Sequence, residues 1–284
     1  MADPRRLRSL LFVPGDRPDM VAKVGRSGPD GVVLDLEDAV RPDLKAAARD
    51  AVVRALDSLE VAPGTLVLVR VNAPGTPWWT EDVAAVAATR IDGVVLPKTE
   101  RVGDLTALRA ELDGHRRGDA FVVAGLETVR GVADAREILA VGAAEAGAQA
   151  AYFGAEDYVT DLGGRRTAGG AEVLTARSLV AVAGRLAGVT VLDQVVLAVH
   201  DEQAFRADAA TARDLGYGGK LCLHPAQVGW AHDAFTPSEE ELAHARAVLA
   251  AVDGAGTGVA LVEGAMVDEV HVRMARATLA RAAR

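Results

Sequence analysis

Eight short, almost unbroken apolar runs recur along the 284-residue chain, with longer alanine-rich segments of helical period between them. The runs occupy 10–13, 31–36, 66–71, 93–96, 121–126, 150–153, 189–192 and 220–223. They are continuous stretches of Val, Leu, Ile, Ala and Phe, not apolar–polar alternations. That pattern marks strands covered on both faces, as in a parallel sheet wrapped by helices. The intervening segments 43–60, 81–89, 101–112, 130–143, 172–187 and 202–215 read as the helices. Eight right-handed strand–helix repeats close a (β/α)8 barrel more naturally than they lie open. A doubly wound open sheet is the competing arrangement. It would call for a glycine-rich phosphate fingerprint after the first strand, and VPGDRPD at 13–19 is not one.

Composition agrees with an aliphatic, helix-covered core: half the residues are hydrophobic and only 4% are aromatic. A net charge of −9, from 31 Lys+Arg against 40 Asp+Glu, argues against a nucleic-acid or anionic-membrane partner, since both need clustered cations. The single cysteine, Cys222, excludes an intramolecular disulfide and reads as a small buried apolar residue. No apolar run approaches the roughly 18–20 residues that span a bilayer. The basic N-terminus leads into an apolar stretch too short for a signal sequence and cut by Pro14-Gly15, so it is read as the first strand of a cytoplasmic protein.

The barrel is expected to fill residues 1–235. After it, Ser238 can cap a helix with Glu241 three residues on, and that helix is expected to run to Val252. A glycine-rich linker at 254–258 and a last helix from Asp268 to Arg284 complete the expected extension, 236–284, a helical lid that packs on a neighbouring subunit.

In such a barrel the active site lies at the C-terminal ends of the strands. The polar residues there are Asp35-Leu36-Glu37-Asp38 after the second run, Arg70-Val71-Asn72 after the third and Lys98 after the fourth. Glu127 follows the fifth, Gly154-Ala155-Glu156-Asp157 the sixth and His224 the eighth. Acidic groups dominate. Several carboxylates crowded on one rim are tolerable when a divalent cation neutralises them, and oxygen-only donors point to Mg²⁺, or Mn²⁺, over Zn²⁺. Glu127 and Asp157, at adjacent strand ends, form the best ligand pair. Arg70 is suited to a substrate carboxylate through its planar fork, and the Gly154 and Ala155 amides allow close approach of an anion. Each carboxylate also has a plainer reading: Glu127 as cap of the next helix, Asp157 as a surface partner of Arg165.

The segments RSLLFVPGDRPDMVAK (8–23), GVVLDLEDAV (31–40), VRVNAPGT (69–76), VVLPKTE (94–100), LETVRGV (126–132), YFGAEDY (152–158) and GYGGKLCLHPAQV (216–228) resemble, in order, the blocks of citrate lyase β-subunit-like proteins of the HpcH/HpaI aldolase and malyl-CoA lyase superfamily. The resemblance covers nearly the whole chain. It implies a Mg²⁺-dependent carbon–carbon lyase that splits a malyl-, citramalyl- or citryl-type 3-hydroxyacyl-CoA into an oxo-acid and an acyl-CoA. By resemblance, Glu127 and Asp157 hold the metal and Arg70 the oxo-acid, whose carboxylate meets the Gly154 and Ala155 amides. Glu37 and Asp38 support the metal's waters. Arg17, Lys23 and Lys220 bind CoA. Asp268, in the tail GAMVDEVHVRMARATLARA (264–282), reaches a neighbour's site as proton donor within a trimer or hexamer. The alternatives are the β subunit of a multi-protein citrate lyase and a malate-synthase-like thioesterase activity.

Overall fold

The computed structural model describes residues 7–255 and 258–282. It divides into two compact units at His232/Asp233. In the first unit, eight parallel strands pair in sequence order and close on themselves: β1 (Ser9–Pro14), β2 (Gly31–Asp35), β3 (Leu66–Arg70), β4 (Gly93–Leu96), β5 (Phe121–Leu126), β6 (Ala148–Phe153), β7 (Thr190–Asp193) and β8 (Gly219–Cys222). Every expected run is a strand, with ends moved by at most two residues, and the open-sheet alternative is excluded by the pairing of β1 with β8.

Closure makes residue parity decisive, because successive side chains of a strand point to opposite faces. Leu10, Val33, Leu66, Leu68, Val95, Val123, Ala150, Tyr152, Leu192 and Leu221 fill the interior, with Phe12 packed against them. Continuing the same parity upward places Asp35 and Arg70 inside as well, and the β2–β3 register sets them side by side. Glu127 follows two residues beyond Gly125 on the inward side of β5.

The opposite parity faces the helices. Lys220 lies there, fully buried, so the expectation that it binds CoA is overturned. Its ammonium donates to Asp193 Oδ2 at 2.7 Å and to Asp208 Oδ2 at 2.5 Å. It also lies 5.7 Å from the Phe205 ring centroid. Arg177 holds the same two aspartates from the helix Ala171–Ala187. This polar knot ties β7 and β8 to the helices outside them. Cys222, on the same face of β8, is buried as expected, and burial pushes its thiol up to about 12.

Most expected helices are present, including Lys45–Leu56, Trp79–Ala87, Val102–Gly114 and Glu202–Asp214. The helix expected over 130–143 is split into Val129–Ala133 and Ala135–Glu145, because Asp134 leaves helical geometry (φ −97°, ψ 8°). The helices Ala155–Leu162 and Pro225–Phe235 were not anticipated.

The second unit begins within Pro225–Phe235 and contains the helix Glu239–Ala255, the strands β9 (Ala260–Val262) and β10 (Ala265–Val267), and the helix Glu269–Ala282. The capping box is present: the Glu241 amide donates to Ser238 Oγ at 3.2 Å and the Ser238 amide to Glu241 Oε2 at 2.8 Å. The β9–β10 hairpin was missed. Its two-residue turn, Glu263-Gly264, has positive φ at both positions, as a tight hairpin turn requires. Ala245, Val248, Val262, Val267 and Ala275 form a small core here. Parts of the linker (256–257) and of the last helix (283–284) fall outside the described residues. No helix among those described is long and apolar enough to cross a membrane.

Removing one partner from a buried charge network leaves the others uncompensated. Lys220→Ala is therefore expected to cost about 3 kcal/mol of stability, measured by chemical denaturation, and a loss indistinguishable from zero would contradict the burial described above.

Candidate active site

The C-terminal ends of the strands enclose a cavity of about 540 Å³, open on one side. Phe12, Asp35, Asp38, Arg70, Glu127, Tyr152, Gly154, Ala155 and Asp157 all line it. Of the rim residues expected from the sequence, Asp35, Asp38, Arg70, Glu127, Gly154, Ala155 and Asp157 thus converge from four strand ends, whereas Glu37, Lys98 and His224 do not line the cavity.

The Arg70–Asp35 pair is the centre of the arrangement. Arg70 Nε donates to Asp35 Oδ1 at 2.7 Å and Nη2 to Oδ2 at 2.5 Å, while its guanidinium carbon lies 5.2 Å from the Phe12 ring centroid. Asp35 also accepts the Glu37 and Ala39 amides at 2.9 and 3.3 Å, which folds the loop after β2 over the strand end. Lys45 secures that loop from behind by donating to the Leu36 and Glu37 carbonyls at 2.8 and 2.7 Å. The expected picture of Arg70 as a free fork needs correction. Its bidentate edge is taken by Asp35 and Nη1 lies 3.2 Å from Glu37 Oε2, so only outward-facing N–H groups remain for a ligand.

Glu127 is buried at the head of β5. Its Oε1 accepts the Lys98 amide and the Tyr152 hydroxyl, each at 2.8 Å. Tyr152 reaches it because Gly125, its register partner on β5, has no side chain; a Cβ there would come 2.5 Å from the phenol oxygen. Gly154 plays the same part on the other side, since a Cβ would sit 2.5 Å from Glu127 Oε2. The Gly154 amide is not available to an anion, because it donates to the Leu126 carbonyl at 3.2 Å. Ala155, by contrast, opens the helix Ala155–Leu162, and its amide lies outside the i→i−4 ladder. Glu127 is not the cap of the helix that follows: Thr128 is, accepting the Gly131 amide at 3.0 Å.

Lys98, for which the sequence suggested no role, is the common neighbour of the carboxylates. Its ammonium donates to Glu37 Oε1 and, at 2.8 Å, to Asp38 Oδ2, and lies 3.6 Å from Asp157 Oδ1. Asp157 therefore pairs with Lys98 and not with Arg165. Burial raises the pKa of Asp157 and of Glu127 despite the nearby cations; Asp38 adds to the effect on Asp157, and Asp157 to that on Glu127. For Asp38 the balance reverses, and Lys98 holds it below the usual carboxylate range against the effect of burial. Among the described residues no three His, Cys, Asp or Glu side chains converge as a metal-binding group.

Arg17 and Lys23 are exposed on the segment after β1, whose Met20 lines the cavity. Arg17 is already paired with Asp19 at 3.1 Å. Asp268 belongs to the second unit and acts as a cap: it accepts the Val270 amide at 2.9 Å and lies 2.8 Å from His271 Nδ1. That hydrogen bond to His271 keeps its carboxyl below the usual range, hence ionised at neutral pH.

Glu37 supplies a pH signature. Burial, outweighing Arg70 and Lys98, pushes it up to about 7 from 4.5. Between those values the folded chain keeps a proton that the unfolded chain has lost, so stability falls as pH rises through the folded value. From about pH 5 to about pH 8 the melting temperature of the wild type should fall relative to that of Glu37→Gln; parallel curves would contradict it.

The sequence matches the HpcH/HpaI aldolase/citrate lyase family model over residues 8–225. A citrate lyase subunit beta-like protein of Deinococcus radiodurans is 49% identical over 99% of both chains. A (3S)-malyl-CoA thioesterase of Cereibacter sphaeroides is 34% identical over 97% of this chain and 94% of its own. The crystal structure of Mycobacterium tuberculosis CitE with magnesium, acetoacetate and coenzyme A superimposes with a TM-score of 0.84 at 34% identity, covering 99% of this chain and all of that one. A closed eight-stranded barrel with these motifs at its strand ends is a member of the HpcH/HpaI aldolase/citrate lyase family.

Proposed function

We propose that the protein is a carbon–carbon lyase that splits a 3-hydroxyacyl-CoA thioester into an oxo-acid and an acyl-CoA, using Mg²⁺ held by Glu127 and Asp157. The observation that carries this reading is the pair itself. Two carboxyl groups with pKa values raised by burial face one cavity, and Glu127 Oε2 accepts no hydrogen bond from the described residues. Such a donor set suits Mg²⁺, which takes one or two protein carboxylates and completes its shell with water and substrate oxygens. The M. tuberculosis relative, crystallised with magnesium, acetoacetate and coenzyme A, supports a reading that involves a magnesium ion and a CoA thioester.

Bound there, the metal supplies Lewis acidity to the substrate hydroxyl and the adjacent carboxylate. The protein's own residues do the rest. The outward N–H groups of Arg70 and the amide of Ala155 hold the oxo-acid end, so that the bond to be broken is aligned with the thioester carbonyl. A base takes up the hydroxyl proton, the carbon that bore the hydroxyl becomes a carbonyl, and the bonding electrons of the broken C–C bond pass to the α-carbon of the acyl thioester. Asp38, fastened by Lys98, borders this step from the cavity wall, and Glu37, held between Arg70 and Lys98, stands behind it. The α-carbon is then reprotonated, a role assigned to Asp268 of a neighbouring subunit in a trimer or hexamer. To serve, its carboxyl must leave the helix cap and take up a proton. Arg17 and Lys23, exposed on the segment whose Met20 lines the cavity, are the residues proposed to bind the CoA phosphates. Water attack on the thioester, as the name of the Cereibacter relative indicates for that protein, is the second reading.

The test is a panel of malyl-, citramalyl- and citryl-CoA offered to the purified chain alone. Cleavage that EDTA abolishes and Mg²⁺ restores is expected, with Glu127→Gln and Asp157→Asn reducing kcat/KM at least about a hundredfold. Release of free CoA without an acyl-CoA product would favour the thioesterase reading. Turnover insensitive to EDTA would overturn the metal assignment, and Asp268→Ala at wild-type rate would remove the lid residue from the reaction.

A further inference from the structure

Lys98 is one of only three non-glycine residues with positive φ among those described, at φ 47°. For an L-residue other than Asn, Asp or Gly this conformation costs on the order of 1 kcal/mol and is kept only where surroundings impose it. Here it does two things at once. It turns the amide toward Glu127 Oε1, and it sends the side chain back across the strand ends to Glu37, Asp38 and Asp157. Lys98 reaches the edge of the cavity through Asp38 and Asp157, two of the carboxylates that line it. Its contact with Asp157, at 3.6 Å, is the loosest of the three.

We propose that Lys98 is the positioning residue of the metal pair, with its amide orienting Glu127 and its ammonium competing with the divalent cation for Asp157. This rests on the metal reading above. A fixed positive charge beside a ligand oxygen repels an incoming dication, so Lys98 keeps the site's affinity moderate. The same charge engages Glu37 Oε1 and Asp38 Oδ2, and this leaves Glu127 and Asp157 to the metal. Without the ammonium, Asp38 becomes free to bind the cation. Affinity then rises while the geometry for the oxo-acid is lost.

The experiment is calorimetric titration of Mg²⁺ alone into the substrate-free, metal-stripped full chain, comparing wild type with Lys98→Met, Lys98→Gly and Lys98→Arg. Lys98→Met should bind Mg²⁺ on the order of tenfold more tightly than wild type, while its turnover falls. Lys98→Gly, which suits the left-handed backbone and retains the amide, should show the same tightening. Lys98→Arg, which keeps the charge, should stay near wild type. Damage to folding would weaken binding, so tightening separates this role from a merely structural one. Unchanged or weaker binding in both Lys98→Met and Lys98→Gly overturns the proposal. Absence of Mg²⁺ binding by the wild type would instead overturn the metal reading on which it stands.

Discussion

A salt bridge between neighbouring strands, Arg70 to Asp35, organises the mouth of this barrel. Two guanidinium N–H groups and two backbone amides converge on one carboxylate. The guanidinium lies near an aromatic ring that itself meets Tyr152 edge-on at 6.3 Å. Removing either partner of a pair so enclosed would strand the other's charge in a low-dielectric surround. The pair therefore fixes the loop carrying Glu37 and Asp38, and it leaves Arg70 with only its outer edge toward the cavity.

Around that centre the cavity gathers more carboxylates than cations. Asp35, Glu37, Asp38, Glu127 and Asp157 face Arg70 and Lys98. The imbalance appears as raised pKa values on Glu37, Glu127 and Asp157, each driven first by burial. Structural ion pairs perturb pKa values too, as the Lys220 network illustrates, so perturbation alone does not mark function. What separates the two clusters is charge balance. At the strand ends five carboxylates meet two cations, whereas Lys220 and Arg177 match Asp193 and Asp208 one for one.

Two glycines show how close packing serves the site. Gly125 leaves room for the Tyr152 ring, and Gly154 lets Glu127 stand against the end of β6. Both carry ordinary negative φ. Their contribution is the space a Cβ would fill, not backbone freedom, and the phenol that enters one of those spaces orients the carboxyl beside the other.

Local sequence determined the strands, because unbroken apolar runs of four to six residues can be buried on both faces only in a covered parallel sheet. It also determined which residues stand at the strand ends, and hence Glu127, Asp157 and Arg70 as candidates. The capping box at Ser238–Glu241 was legible for the same reason: its partners are three residues apart. Strand parity in β8 sends Lys220 outward, opposite in sense to the inward Leu221. Tertiary structure alone decided the rest. That Asp35 occupies the fork of Arg70 follows from β2–β3 register, and that Tyr152 reaches Glu127 follows from the empty position opposite it. The left-handed turn at Lys98 exists because the folded barrel presents Glu127 on one side and three carboxylates on the other. These partners lie 29 to 61 residues from Lys98 along the chain, so no local pattern could announce them.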